Sequence, residues 1–583
     1  MRSGDYGNPK GLRLRSGSAL VFALTLIVAT SGCLQETATE TTTQKSTGGA
    51  IASAEPRATE AGLAILASGG NAVDAAVATA LALAVTYPEA GNLGGGGFAV
   101  LKIGDERNSL DFREVAPAAA HRDMYLDADG TARPEASLIG PLAAGVPGSP
   151  QGLWALHQRY GKLPWPEVVD PAIELARDGI IVDEHLRAVL AEEQPMLSRF
   201  PETAAFWLPD GEPPAVGTRL RQPALESTLR AYAEQGPSAL TAGAIAAAVE
   251  RTSRQYGGVL TAADLAAYEP VWRAPVETEA FGWKIASMDL PSSGGLLLAQ
   301  TFALLERRGW QEQPRFGTER AHLLTEAWRR AYADRLLMGD PATSEAGGEQ
   351  LLASAWLDRR AQEIDPESAT SSNAVGNWSD SAPPTEPQDT THLSVIDGDG
   401  NLVALTTTLN GLFGCGVWVP EAGFFLNNEM DDFTTAVGQP NLYNLIQGEA
   451  NAVAPGKRML SSMTPTVAWQ ETGGAIVLGG RGGSKIPSNT MQVLLNYIAD
   501  GDALQTAVDR PRIHHQWLPD ELQAEPQRLA PEVRQALEER GHRVVIVEHA
   551  AKVQAVAMHS DGTLEAAADP RSTGQGGVLH RSP

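Results

Sequence analysis

Thr390 and Thr391 follow the Ser- and Pro-rich run PESATSSNAVGNWSDSAPPTEPQD and open the stretch TTHLSVIDGDGNLVALTTTLN. If the Asp389–Thr390 peptide bond breaks, Thr390 carries a hydroxyl and a free α-amine on one residue. An α-amino group titrates at about 7.7 to 8.0. At neutral pH a usable fraction is therefore unprotonated and can take the hydroxyl proton without help from a histidine. A plainer reading stands beside this one, because the β-branched residues from Thr390 to Asp397 also suit an ordinary strand.

Other chemistries find less support. His514 and His515 are adjacent, so on a regular element they point different ways, and there is no His-Glu-x-x-His or Cys-x-x-Cys run. No metal and no cofactor is expected. A Gly-x-Ser-x-Gly elbow is missing too, which lowers an ordinary serine hydrolase. The loop Gly479–Lys485, GGRGGSK, invites a phosphate-binding reading, but it places Ser484 before Lys485 and so inverts the order such a loop needs. Its backbone N–H groups suit an oxyanion hole better, with a plain tight turn as the alternative. Taken singly, Arg113 between acidic neighbours reads as an ion pair, Asp431-Asp432 as an acidic turn and Ser461-Ser462 as a helix cap.

The elements that must position these residues are legible in outline. The 583 residues, with 43% hydrophobic content, can bury a large core. A net charge of −25 without a Lys/Arg run excludes a nucleic-acid surface. Residues 1–33 read as an export signal: Arg2, Lys10, Arg13 and Arg15 precede the apolar run Ala19–Ala29, and Thr30-Ser31-Gly32-Cys33 follows. The small residues before Cys33 resemble a bacterial lipoprotein signal, in which the cysteine is acylated. Residues 34–48 then form a polar tether, and the mature protein is periplasmic or membrane-anchored. Cys415 is the only other cysteine. Helical spacing over Arg57–Ala67 and Ala72–Thr86, the latter capped by Asn71, leads to the glycine-rich Gly91–Gly97, where backbone must pass close to something. Helices dominate from Ala118 to Asp365, and residues 366–389 bury little and form a mobile segment. After Thr390, short β runs (His392–Ile396, Leu402–Leu409, Ala475–Leu478, His542–Val547, Val553–His559) interleave with two helices, and both parts are expected to share one core.

In order along the chain, GGNAVDAAVA, GNLGGGGF, DFRE, PSSGG, DTTHLSVID, NNEMDDF, LSSMTPT and GGRGGSK resemble the motifs of the γ-glutamyltransferase family of N-terminal-nucleophile enzymes. The resemblance runs from about Gly49 to the C-terminus. It implies a four-layer αββα sandwich built jointly by a large chain (49–389) and a small chain (390–583) after self-cleavage between Asp389 and Thr390. It further implies that Thr390 is the nucleophile, that the Thr408 hydroxyl orients it, and that Gly482 and Gly483 form the oxyanion hole. Arg113 grips the donor's α-carboxylate with Ser461 and Ser462, while Asn410, Glu429 and Asp432 receive the α-ammonium. Residues 437–453 resemble a lid with Tyr443 as its gate. The implied substrates are glutathione and other γ-glutamyl compounds, with water or an acceptor amino acid or peptide taking the glutamyl group. Two alternatives stay open: a glutaryl or β-lactam acylase of the same superfamily, and an uncleaved solute-binding lipoprotein.

Overall fold

The helix Ala72–Thr86 is buried at every position, as its Ala, Val, Leu and Thr side chains on all faces require. Its start is fixed by a capping box. The Asn71 side chain accepts from the Val73 and Asp74 amides at 3.0 Å each, and Asp74 Oδ2 accepts from the Asn71 amide. This helix packs against Pro56–Ala67 and Trp165–Asp178 to make one outer layer. The computed structural model describes residues 44–45, 48–343, 347–376, 390–436, 438–548 and 550–580. The expected export signal with Cys33, most of the tether, and Asp389 lie outside them. No helix among the described residues is long and apolar enough to cross a membrane.

Two seven-stranded antiparallel sheets form the centre. The first runs in the order Gln575–Leu579, Gly49–Ser53, Thr391–Asp397, Leu402–Thr408, Gly96–Ile103, Glu106–Phe112 and Val271–Arg273. The second runs Gln44–Lys45, Thr563–Ala567, Lys552–Met558, Ala475–Arg481, Thr466–Trp469, Trp283–Ser287 and Val276–Ala280. Phe98, Val100, Ile396 and Ala404 of the first meet Ala286, Val467, Val477 and Val556 of the second in one apolar layer. Helices Gly294–Arg307, Thr318–Asp334 and Ile486–Ile498 cover the outer face of the second sheet. The αββα sandwich implied by the resemblance is the observed fold. Both sheets mix strands from before and after residue 390, so the two parts share one core.

Three details depart from the sequence reading. Gln44 and Lys45 of the supposed tether pair with Leu564 and Thr563 at a sheet edge. Residues 366–376 are docked: Ser372–Gly376 is a short helix, Ser372 Oγ donates to the Trp517 carbonyl at 2.6 Å, and Trp517 Nε1 donates back to the Ser372 carbonyl at 2.8 Å. Small residues permit this approach, since a Cβ on Gly376 would collide with the Trp517 indole. Finally, Gly479, Gly480 and Arg481 belong to a strand, and the turn proper starts at Gly482. Gly479 is a glycine because the His392 ring of the facing sheet occupies the space of a Cβ.

Candidate active site

Adjacent strands carry the two threonines. Pairing of Thr391 with Thr407 sets the Thr390 and Thr408 hydroxyl oxygens 3.4 Å apart. Thr408 Oγ1 accepts the Asn410 amide at 2.8 Å, leaving its own O–H free to reach Thr390. The strand with Thr408 is clamped by the glycine run expected to pass close to something. Asn92 Nδ2 donates to the Thr408 carbonyl at 2.9 Å, and Cβ atoms on Gly95 or Gly97 would strike the carbonyls of Thr408 and Thr406. Thr390 itself is buried with φ 120°, a strained conformation for a β-branched residue.

The hydroxyls open on a recess of about 270 Å³. Thr390, Thr408 and Gly483 line one side, and the side chains implied to hold the donor (Arg113, Asn410, Glu429, Asp432, Tyr443, Ser461 and Ser462) line the rest. Gly482 lies one residue behind, with φ 134°, and Gly483 has φ 54°, conformations that favour glycine. The helix Ile486–Ile498 starts directly after this turn, and Ile486 reaches the recess, so the positive end of the helix dipole is turned toward it.

Arg113 is fully buried and does not wait empty. Its Nη1 pairs with Glu429 and stands 3.7 Å from Glu114, and its Nη2 donates to Asp432 Oδ2 at 2.6 Å. Burial alone would weaken the guanidinium charge, but Glu429, Asp432 and Glu114 outweigh it and keep Arg113 firmly charged. The same burial raises the carboxyls, against the pull of Arg113: Glu114 rises to about 7, and Glu429 and Asp432 also lie above their usual range. Three carboxyls around one guanidinium cannot all ionise cheaply, so the cluster retains a proton. The groups implied to take the two ends of an α-amino acid thus pair with each other across the recess.

The lid segment is tied across the acidic turn. Asn441 Nδ2 donates to Asp432 Oδ1 at 2.8 Å, Leu442 N to Asp431 Oδ2 at 2.7 Å, and Gln447 Nε2 to the Asp432 carbonyl at 2.7 Å. Tyr443 OH donates to the Asn410 carbonyl at 2.6 Å, and its ring rests on the Gly483 backbone where a Cβ would sit. Ser461 Oγ accepts from the Met463 amide at 3.1 Å.

Two residues escaped the sequence reading. Arg335 is buried behind the recess and donates from Nη1 to Gln447 Oε1 at 2.9 Å, from Nε to Ser293 Oγ at 3.2 Å and from Nη2 to Ser462 Oγ at 3.5 Å. It ties residue 447 to Ser462, a serine implied to hold the donor, from 112 residues before Gln447 in sequence, and only its place just past a long helix hinted at it. His392 lies beneath the threonine strands between Thr406 Oγ1 (2.8 Å) and Ser394 Oγ (3.0 Å). Cys415 is a buried core residue whose thiol burial pushes up to about 12, so it does not act as a nucleophile here. His514 and His515 are both buried, bonded to Ser488 with Gln516 and to Asp520 respectively. Among the described residues no group of three or more His, Cys, Asp or Glu could hold a metal ion.

Comparison with known proteins places this geometry. The family description Gamma-glutamyltranspeptidase matches residues 58–579. The glutathione hydrolase proenzyme of Escherichia coli K12 is 40% identical over 527 residues, covering 90% of each chain. The Acylase ACY 1 proenzyme of Pseudomonas sp. SE83 is 35% identical, covering 90% of this chain and 92% of its own. Among solved structures, cephalosporin acylase from Bacillus halodurans superposes with a TM-score of 0.81 at 26% identity, over 96% of this chain and 100% of its own. Gamma-glutamyltranspeptidase from Pseudomonas nitroreducens complexed with L-DON gives a TM-score of 0.52 at 37% identity, covering 54% of this chain and 94% of its own. With the paired threonines, the buried arginine clamp and the shared sandwich, these matches place the chain in the gamma-glutamyltranspeptidase family.

Proposed function

We propose that this chain is a self-processing γ-glutamyltransferase and glutathione hydrolase. The Thr390 hydroxyl attacks the Asp389 carbonyl, the amide nitrogen departs as the chain shifts to an ester, and water releases a new N-terminal threonine. In turnover its amine takes the hydroxyl proton, the oxygen attacks the γ-carbonyl of the donor, and the donor's C–N bond breaks as its nitrogen takes that proton from the Thr390 ammonium and departs as an amine. Water or an acceptor amine then cleaves the γ-glutamyl ester on Thr390. Thr408 orients the attacking oxygen, and the backbone at Gly482 and Gly483 receives the oxyanion, each donor worth about 3 kcal/mol.

The observation that carries this reading is the Arg113 cluster facing the threonine pair. A donor with both an α-carboxylate and an α-ammonium can replace the internal pairs like for like, carboxylate to Arg113 and ammonium to Glu429 and Asp432. A glutaryl donor breaks the Glu429 and Asp432 pairings and offers no cation in return. The cluster therefore favours glutathione-type donors over the acylase alternative. N-terminal sequencing of the small chain, run beside release of p-nitroaniline from γ-glutamyl and glutaryl anilides, tests this. We expect a sequence starting TTHLS and turnover of the γ-glutamyl substrate. An uncut chain, or preference for the glutaryl anilide, overturns it.

A further inference from the structure

Of the four arginines that line a second pocket, Arg315, Arg320 and Arg510 are paired with carboxylates and Arg528 is not. Its Nη1 is fully enclosed without a hydrogen-bond partner, and among the described residues its side chain makes no ion pair. Burial pushes its guanidinium down to about 10, neighbouring Arg510 pushes in the same direction, and Asp500 offsets part of both. Buried polar groups in native proteins are almost always satisfied, and an uncompensated charge is the costliest exception. This part-buried arginine sits in a pocket of about 430 Å³ that shares no lining residue with the catalytic recess.

The pocket collects cations in a chain whose net charge is −25. Arg315, Arg320, Arg510 and Arg528 line it together with Asp500. Asp502 stands behind, paired with Arg315 and Arg510, and Arg320 Nη1 donates to Asp500 Oδ1 at 2.7 Å. Four guanidinium groups against these two carboxylates leave a surplus of two positive charges. The Phe316 ring holds three of the arginines around it, with Arg315, Arg510 and Arg528 at 4.8, 4.9 and 5.5 Å from its centroid. Phe316 adopts φ 61° to present that ring, a conformation unfavourable for a bulky residue. The amide side chains of Gln492 and Asn496 add neutral polar lining.

We propose that this pocket binds a small dianionic oxyanion of the phosphate type, with Arg528 as its principal donor. A dianion matches the surplus charge, and a guanidinium offers two parallel N–H groups to two oxygens. The ligand would pair with the accessible part of the Arg528 guanidinium and relieve the crowding of like charges around Phe316. Nothing in the proposed transferase reaction uses this pocket, so its occupancy and the activity are separable.

Calorimetric titration of the full protein with inorganic phosphate, at fixed ionic strength with chloride as the background anion, tests the proposal. We expect saturable binding of one phosphate per chain, weakened roughly tenfold or more in Arg528→Met. In chloride alone Arg528→Met should melt higher than the parent, because an unpaired buried charge has been removed. Absence of saturable binding to the parent protein, or undiminished binding to Arg528→Met, overturns the site. Should that variant not fold, crystals of the parent soaked in selenate decide the matter: an anomalous peak in the pocket beside the Arg528 guanidinium is expected, and an empty pocket refutes it.

Discussion

Arg113 has more acidic neighbours than it can neutralise, and this governs what changes at the residue scale. Lysine at position 113 keeps the charge but loses the fork that answers two carboxyls at once. Arg113→Lys should lower kcat/KM for a γ-glutamyl anilide by roughly 10- to 100-fold, the range of one or two charge-assisted hydrogen bonds, with chain cleavage intact on a denaturing gel. His392 gives a pH prediction with a definite sign. Burial lowers it from 6.5 to about 3, so the folded protein refuses a proton that the unfolded chain accepts below 6.5. The stability it contributes is present above pH 6.5 and is lost as pH falls from there toward 3. His392→Gln, which can still bond Thr406 and Ser394, should therefore reduce the proton uptake on unfolding at pH 5 by about one, as read by calorimetry in buffers of different ionisation heat. Arg113, Thr390, Thr408 and the acidic turn were readable because each lies in a motif of the family resemblance, although Arg113 meets Glu429 and Asp432 only across 316 and 319 residues of sequence. Arg335 was not, since its partners Ser293, Gln447 and Ser462 come from three separate segments that only the folded chain assembles.

The elements differ in how openly the sequence announced them. Helix Ala72–Thr86 could be read from its cap and its uniformly apolar surface, and the strands around Thr390 and Thr408 from their β-branched runs. The docking of Ser372–Gly376 could not, because a run of Ser, Ala and Gly looks equally loose whether or not a tryptophan waits to cover it. The same limit applied to Gly479 and Gly480, which are in a strand because they pair with Gln554 and Val553 some 75 residues later. Within the lid, the Tyr443 hydroxyl is the contact that closes over Asn410. Tyr443→Phe removes one hydrogen bond worth about 1 kcal/mol, so KM for the donor should rise about fivefold while the small chain still starts at Thr390. At the helix, Asn71→Ala should cost about 1 kcal/mol of stability by loss of the cap, lowering the thermal midpoint without altering kcat.

Across the whole molecule, strands from before and after position 390 are hydrogen-bonded to one another in both sheets: Thr391–Asp397 lies between Gly49–Ser53 and Leu402–Thr408, and Gly96–Ile103 follows on the far side. After the proposed cut, the fragments should co-elute on gel filtration without denaturant and part only when the sheets are unfolded. This weave has a genetic corollary. Each fragment is committed to the sibling made from the same messenger, because trading partners would require dismantling the sandwich. Two cleaved preparations, one blocked covalently at Thr390 after the cut and the other carrying Arg113→Ala, should stay inactive when mixed under native conditions, for no hybrid carrying both intact residues can arise.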